Sequence, residues 1–238
     1  MNRAVGSSAA GREHVTNELF SQLKTATAAS HRRLDAEIDV CGDGLTLERY
    51  RVLLMRFHGI FSALEPRLAA VRGLAELDID LDLARCCRTA WLSEDLEALG
   101  MTHSRIPDID QSTRPYPVTD VSEALGCLYV IEGAGLGGQV IVPCVQRQLG
   151  LTADYGCRFF AGHGPATIDR WKRLRAKADD YARRTNTHAR IVQSAVDLFE
   201  TFVNWFSEDA HGDSVERRAL VGRAVQHQTS RRPDHQLR

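Results

Sequence analysis

Apolar residues recur every three or four positions along almost the whole chain, and this spacing constrains the fold more than any other feature. It is the period of an amphipathic α-helix, whereas segments that alternate with a period of two, as strands do, are nearly absent. The sequence therefore predicts an all-α protein. Predicted helices cover residues 17–38, 47–70, 83–99, 119–149, 167–184 and 188–206.

The length of 238 residues favours one compact domain with a sizeable core. Hydrophobic residues make up 43% and charged residues 26%, a balance typical of soluble globular proteins. We expect the domain to span residues 17–207. A flexible N-terminal segment, 1–16, precedes it, and a polar, mobile C-terminal tail, 208–238, follows it.

Local signals predict where several helices begin and end. Thr46 is the predicted N-cap of the second helix, and Pro66 predicts a break or kink within it. Gly100 and Gly150 predict the C-terminal ends of two later helices. Three prolines predict an irregular loop over about residues 102–117.

The charge balance excludes some partners. Thirty Lys and Arg residues against 31 Asp and Glu residues leave a formal net charge of −1, so no global basic field attracts nucleic acid or an anionic membrane. The first 20 residues lack the apolar core of a signal peptide. We expect a cytoplasmic protein with no nucleic-acid or membrane partner, and we therefore expect its six cysteines to be reduced and mostly buried.

Lys24 and His31 are the first pair of residues whose types and spacing indicate a binding site. Seven residues advance a helix by about two turns, so both side chains project from one face, roughly 10.5 Å apart along the axis. An imidazole is a good iron ligand, and the distance matches that from the centre of a porphyrin to its propionates. Ala28 and Ala29 would let a flat group approach the backbone. The alternative is that His31 borders the core while Lys24 covers apolar surface with its stem.

The glycine-rich segment Gly133–Gly138 is the second feature of this kind. It contains the pattern GxGxxG, but no alternating strands and helices surround it, so a dinucleotide-binding turn has little support. Within a helix, each glycine costs about 0.8–1 kcal/mol relative to alanine. Close approach of the backbone to a ligand would explain the glycines, and so would close helix–helix packing.

Other candidate residues carry less information. The basic run 171–177 resembles a solvated helix face, although one of its cations could meet a ligand carboxylate. His58 lies in an apolar helix and is the alternative axial ligand, with core packing as its simpler interpretation. The sequence contains no HExxH, GxSxG or GxxxxGK[ST] motif, so zinc-hydrolase, nucleophile-elbow and P-loop chemistries have no support.

Two motifs together resemble the heme oxygenase family. The segment 23–31, Leu-Lys-x-Ala-Thr-x-x-x-His, is similar to the proximal-helix motif of that family, and 132–140, Glu-Gly-x-x-Leu-Gly-Gly-Gln-Val, is similar to its distal-helix glycine motif. Segments within 46–66, 95–100 and 159–164 are similar to bacterial members, including those associated with bacteriophytochromes. The resemblance extends over about residues 19–206.

The resemblance implies an all-α fold that clamps heme between a proximal helix and a kinked, glycine-rich distal helix. It implies opening of heme to biliverdin with release of carbon monoxide and ferrous iron, so that heme is both substrate and oxygen-activating cofactor. Molecular oxygen is then the co-substrate, and the electron donor is a ferredoxin, a reductase or ascorbate. A bacteriophytochrome is a candidate acceptor of biliverdin.

The resemblance also implies roles for individual residues. His31 would ligate the iron and Lys24 would face a propionate, while Lys172, Tyr129 and Phe202 would contact the heme. The catalytic backbone would be that of the distal glycines, namely Gly133, Gly137 and Gly138.

One position departs from the family pattern, and two alternatives to the enzyme stay open. Many members carry Asp after the first distal glycine, where this chain has Ala134, and Glu132 is a candidate substitute. A non-catalytic heme carrier or sensor on the same fold would also need His31, but it would leave heme intact. A helical interaction module would bind no heme.

Overall fold

The computed structural model describes residues 18–77, 87–108 and 116–207. Over these ranges the protein is all-α, without a β-strand beyond isolated bridges at Thr152. Six helices have twelve or more residues, and one further helix is a single turn. They are α1 (Glu18–Ile38), α2 (Leu47–Ala69), α3 (Cys87–Ala98), α4 (Val121–Leu149), the single turn α5 (Arg158–Ala161), α6 (Thr167–Thr185) and α7 (His188–Ser207).

Most predicted helix ends agree with the structure because the local capping groups act as expected. The Thr46 side chain accepts a hydrogen bond of 3.1 Å from the Arg49 amide and starts α2. Gly150 ends α4 in the left-handed conformation, with φ of 71°. Of the break or kink predicted at Pro66, the break does not occur, since α2 continues to Ala69. The proposed end segments 1–16 and 208–238 lie outside the described residues.

The core forms around α7, which packs against both α1 and α4. Helix α6 also contacts α1 and α4, and α2 packs against α3. Six phenylalanines from three segments build an aromatic cluster with ring centroids 4.8–6.4 Å apart. They are Phe57, Phe61, Phe159, Phe160, Phe202 and Phe206. This cluster holds α5 against α2 and α7.

The cysteines do not all behave as predicted. Cys41 and Cys144 form a disulfide between the α1–α2 connection and the end of α4. The prediction of reduced cysteines is therefore wrong for this pair, because the fold brings together two residues that are 103 positions apart. Cys127 and Cys157 are buried free thiols, as expected.

Helix α4 is the one helix among the described residues with the length and apolar composition to span a membrane. Its packing against α5, α6 and α7 accounts for that composition, since a helix surrounded by others is apolar on several faces. Core helices of soluble proteins share this property.

Candidate heme site on helices α1 and α4

One face of α1 carries the predicted ligand. Lys24, Ala28, His31 and Asp35 follow one another at helical spacing and are all exposed. The residues beside them at Leu23, Thr27, Ser30 and Leu34 are buried instead. The structure thus confirms that Lys24 and His31 share a face of the helix, and this face is exposed at all four positions within the described part of the chain.

His31 is held in a defined orientation although its side chain is 57% exposed. Its Nδ1 atom lies 2.9 Å from the carboxylate of Asp35, one turn later on α1. Its ring packs edge-on against Phe199 of α7, with centroids 5.5 Å apart. A proton on Nδ1, shared with Asp35, leaves the lone pair of Nε2 available to a metal.

The glycines of α4 face different neighbours. A Cβ atom placed on each glycine shows which atoms a side chain there would meet. At Gly133 a Cβ would lie 3.5 Å from the Trp171 ring of α6. At Gly137 it would meet only Ile141 of the same helix, at 3.9 Å, so the space beside Gly137 is open. At Gly138 it would lie 2.0 Å from the carbonyl oxygen of Phe160.

This arrangement separates the two explanations for the glycines. Gly137 leaves backbone accessible, as a ligand-contacting glycine requires, and Gly133 lies four residues before it on the same face. Gly138 lets α4 pack directly on the backbone of α5. The role of Gly138 beside the iron stays a prediction, whereas its packing role is visible.

Tyr129 joins the two candidate helices. Its ring lies 5.5 Å from Phe20 of α1 and 5.5 Å from Trp171 of α6, both measured between centroids. Burial raises the pKa of the Tyr129 hydroxyl. Tyr129 therefore brings α4 into aromatic contact with both α1 and α6.

The other two residues predicted to contact heme, Lys172 and Phe202, lie in different surroundings. Lys172, on α6, is 71% exposed and has its Nζ 3.8 Å from Asp169. Phe202 is only 3% exposed and belongs to the aromatic cluster, 5.8 Å from Phe61 between centroids. The aromatic ring next to His31 is that of Phe199, one turn earlier on α7.

Glu132 does not take the place of the missing aspartate. Its carboxylate is buried between α4, α3 and α6, whereas Ala134 is exposed. Two residues advance a helix by about 200°, so the two side chains project from nearly opposite faces.

His58, the alternative ligand, is enclosed between α2 and α3. Its Nε2 lies 3.3 Å from the Ser93 hydroxyl, and burial lowers the pKa of the imidazole. An imidazole in this position stabilises helix packing and is turned away from the exposed face of α1.

Sequence reasoning missed four residues that shape the site. Asp35 follows His31 by four positions, and this spacing was a usable signal for a partner of the imidazole. Phe199 was visible only as a member of an apolar face and Trp171 only as the first residue of the basic run, while Phe20 carried no signal of its own. Their contacts join helices that are distant in sequence.

Comparisons with known proteins address the fold and the family. The structure resembles the heme oxygenase of Neisseria meningitidis, with a TM-score of 0.66 and 20% identity over 83% of this chain and 94% of that chain. It also resembles heme oxygenase 2 of Chlamydomonas reinhardtii, solved without heme, with a TM-score of 0.55 and 16% identity over 79% and 96% of the respective chains. These likenesses show the fold. Comparison with the sequences of curated proteins gives no significant match.

The family follows from the sequence itself. The profile of the heme oxygenase family matches residues 17–208, most of the chain. The chain belongs to the heme oxygenase family and is a heme-degrading oxidoreductase.

Proposed function

We propose that this protein binds heme between the exposed face of α1 and the glycine segment of α4, with His31 as the axial ligand of the iron. The observation that carries the proposal is the His31–Asp35 pair, with Nδ1 on the carboxylate. Carboxylate partners of this kind fix the tautomer of metal-binding histidines and raise their basicity. His58, enclosed next to Ser93, has no comparable carboxylate partner among the described residues.

The residues around this space fit a flat, apolar group with two acidic arms. Ala28 and Gly137 present little side chain, and the ring of Phe199 lies beside His31. Lys24 lies two turns from His31, where an ammonium can pair with a propionate. Lys172, which is exposed on α6, is the second candidate cation.

The bound heme supplies oxygen activation at its iron, and the protein determines where that chemistry acts. His31 anchors the iron, and Asp35 holds the imidazole ring. Because Gly133 and Gly137 carry no side chain, their backbone can lie close to the opposite side of the heme and limit the room there. A neutral imidazole does not push electron density as a thiolate does, which suits oxidation of the ring edge.

Further partners follow from the proposed reaction. It requires molecular oxygen and electrons from a ferredoxin, a reductase or ascorbate, and it yields biliverdin, for which a bacteriophytochrome is a candidate acceptor. We infer a cytoplasmic location, where heme and such donors meet. Phe202 is enclosed in the aromatic cluster, so we expect it to affect the heme only indirectly.

Incubation of the purified protein with hemin, oxygen and ascorbate tests the proposal. We expect a heme complex whose main absorption band decays while bands of biliverdin appear. A heme carrier on the same fold would keep the heme spectrum under these conditions. Absence of any hemin binding would contradict both interpretations and leave the fold as an interaction module.

A further inference from the structure

A buried ionic cluster holds α4 immediately before its glycine segment. The carboxylate of Glu132 is 6% exposed and receives positive charge from two helices. Its Oε1 lies 3.4 Å from the Arg88 guanidinium of α3, and its Oε2 lies 3.5 Å from Nε of Arg170 on α6. His163, between α5 and α6, has its Nε2 4.0 Å from Oε1.

The carboxylate of Glu132 places one negative charge against both guanidinium groups of the cluster. Burial and the charge of Arg170 lower the pKa of His163 to about 4, which leaves this imidazole neutral near pH 7. Arg88 and Arg170 are permanently charged. Without the carboxylate, two guanidinium groups would be buried close together and would repel each other.

The same cluster is coupled to the backbone that precedes the candidate heme site. Arg88 also donates to the carbonyl of Ile131, at 3.4 Å, so one guanidinium binds both the backbone and the side chain of α4. A Cβ at Gly133 would lie 3.5 Å from Trp171, and one at Gly135 would lie 3.3 Å from Thr167. Helix α6 thus approaches α4 at the glycines, and the ionic cluster holds it there.

We propose that Glu132 is a positioning residue for the reaction. By binding α3 and α6 to α4, its carboxylate sets the position of the backbone from Gly133 to Gly138, and thereby the part of the heme edge that is attacked. This inference rests on the proposed placement of heme beside Gly133 and Gly137. Among the described residues, Glu132 has Arg88, Arg170 and His163 as its charged neighbours, and it acts through them rather than on the heme.

Glu65 provides a matched control. It is another buried carboxylate that binds Arg88, but through the backbone amide at 3.0 Å, and it also accepts hydrogen bonds from Thr89. Its hydrogen bonds join α2 to α3. Glu132→Gln and Glu65→Gln therefore remove similar charges from opposite sides of Arg88.

Hydrogen exchange of the heme-free protein is the first measurement. We expect a severalfold faster exchange of the amides from 133 to 138 in Glu132→Gln and no change there in Glu65→Gln. Where Glu132→Gln does not fold, Glu132→Gln/Arg170→Gln replaces it, because this double variant removes one charge of each sign. Unchanged exchange in this segment would overturn the proposal.

The ratio of biliverdin isomers formed from hemin is the second measurement. We expect it to change in the Glu132 variant and to stay at the wild-type ratio in Glu65→Gln, even if both lower the melting temperature. An unchanged ratio despite faster exchange would overturn the positioning role. A wild-type protein that binds no hemin would contradict the proposed function, whereas the exchange result would still test the anchoring of α4.

Discussion

The imidazole of His31 and the carboxylate of Asp35 form a pair on one face of α1, with Nδ1 and Oδ2 separated by 2.9 Å. The pair lies on an exposed stripe that also carries Lys24, and it is supported from α7 by Phe199. An oriented but accessible imidazole is the arrangement that an axial ligand requires.

We expect His31→Ala to abolish the axial-ligand spectrum of the hemin complex and most biliverdin formation. The substitution removes the anchor of the iron and leaves the surrounding apolar surface intact. Absorption spectra and turnover with ascorbate measure the effect, and added imidazole should restore part of the spectrum. His58→Ala is the control. Loss of the spectrum in His58→Ala, with a normal His31→Ala protein, would move the ligand to α2.

Lys24→Glu should weaken the binding of hemin, because a carboxylate would then face a propionate. The change in affinity should be about tenfold or less, since ion pairs at exposed positions rarely contribute more than about 1 kcal/mol. Titration of heme-free protein with hemin at low and high salt measures it, with Lys172→Glu compared in parallel. Equal affinity of Lys24→Glu and wild type at every salt concentration would make Lys24 a solvated surface residue.

Gly137 and Gly138 should respond differently to the same substitution. Gly138→Ala should lower the stability of the heme-free protein by about 1–3 kcal/mol, because the methyl group would collide with the Phe160 carbonyl. Gly137→Ala should preserve or raise stability by up to about 1 kcal/mol through helix propensity. It should nevertheless impair hemin binding or turnover. Thermal unfolding and hemin titration separate the two effects, and a fully active Gly137→Ala enzyme would argue against heme contact there.

The stability of the heme-free protein should depend on Asp95. This side chain is 1% exposed and accepts hydrogen bonds from the amides of Arg158 and Phe159, at 2.7 and 2.8 Å. Burial nevertheless raises its pKa from 3.8 to about 6. The folded state therefore binds more protons than the unfolded state between these values, so the contribution of Asp95 to stability falls as pH rises from about 4 to about 6.

Asp95→Asn should remove this contribution to the pH dependence. As pH rises across that interval, wild type should lose up to about 3 kcal/mol of unfolding free energy relative to Asp95→Asn. Denaturant unfolding at a series of pH values measures it. Parallel curves for the two proteins would show that Asp95 has an ordinary pKa.

The Cys41–Cys144 disulfide should stabilise the protein. A crosslink over such a long loop contributes about 4 kcal/mol or less, mainly by restricting the unfolded chain. The Gln148 side chain also holds the α1–α2 connection, because it accepts a hydrogen bond from the Leu45 amide and donates one to the Val40 carbonyl. The candidate heme site should therefore stay folded after reduction of the disulfide. We expect reductant to lower the melting temperature of wild type but not of Cys41→Ser/Cys144→Ser. Peptide mapping without reductant should recover residues 41 and 144 in one linked fragment, and separate fragments would refute the bond.

The sequence by itself determined the helices, most of their ends and the family. Helical periodicity and the caps at Thr46 and Gly150 are local properties, because they depend on residues within one or two turns. The shared face of Lys24 and His31 follows from the same geometry. The motifs around His31 and Gly133 sufficed to indicate the family.

Only the tertiary structure decided which residues meet across helices. It showed that Gly138 packs on Phe160, that Phe199 lies beside His31, and that Glu132 is buried in an ionic cluster. It also joined Cys41 to Cys144, contrary to the expectation for reduced cysteines. Periodicity defines the buried side of each helix, but the partner on that side depends on how distant helices pack, and this information is absent from local spacing.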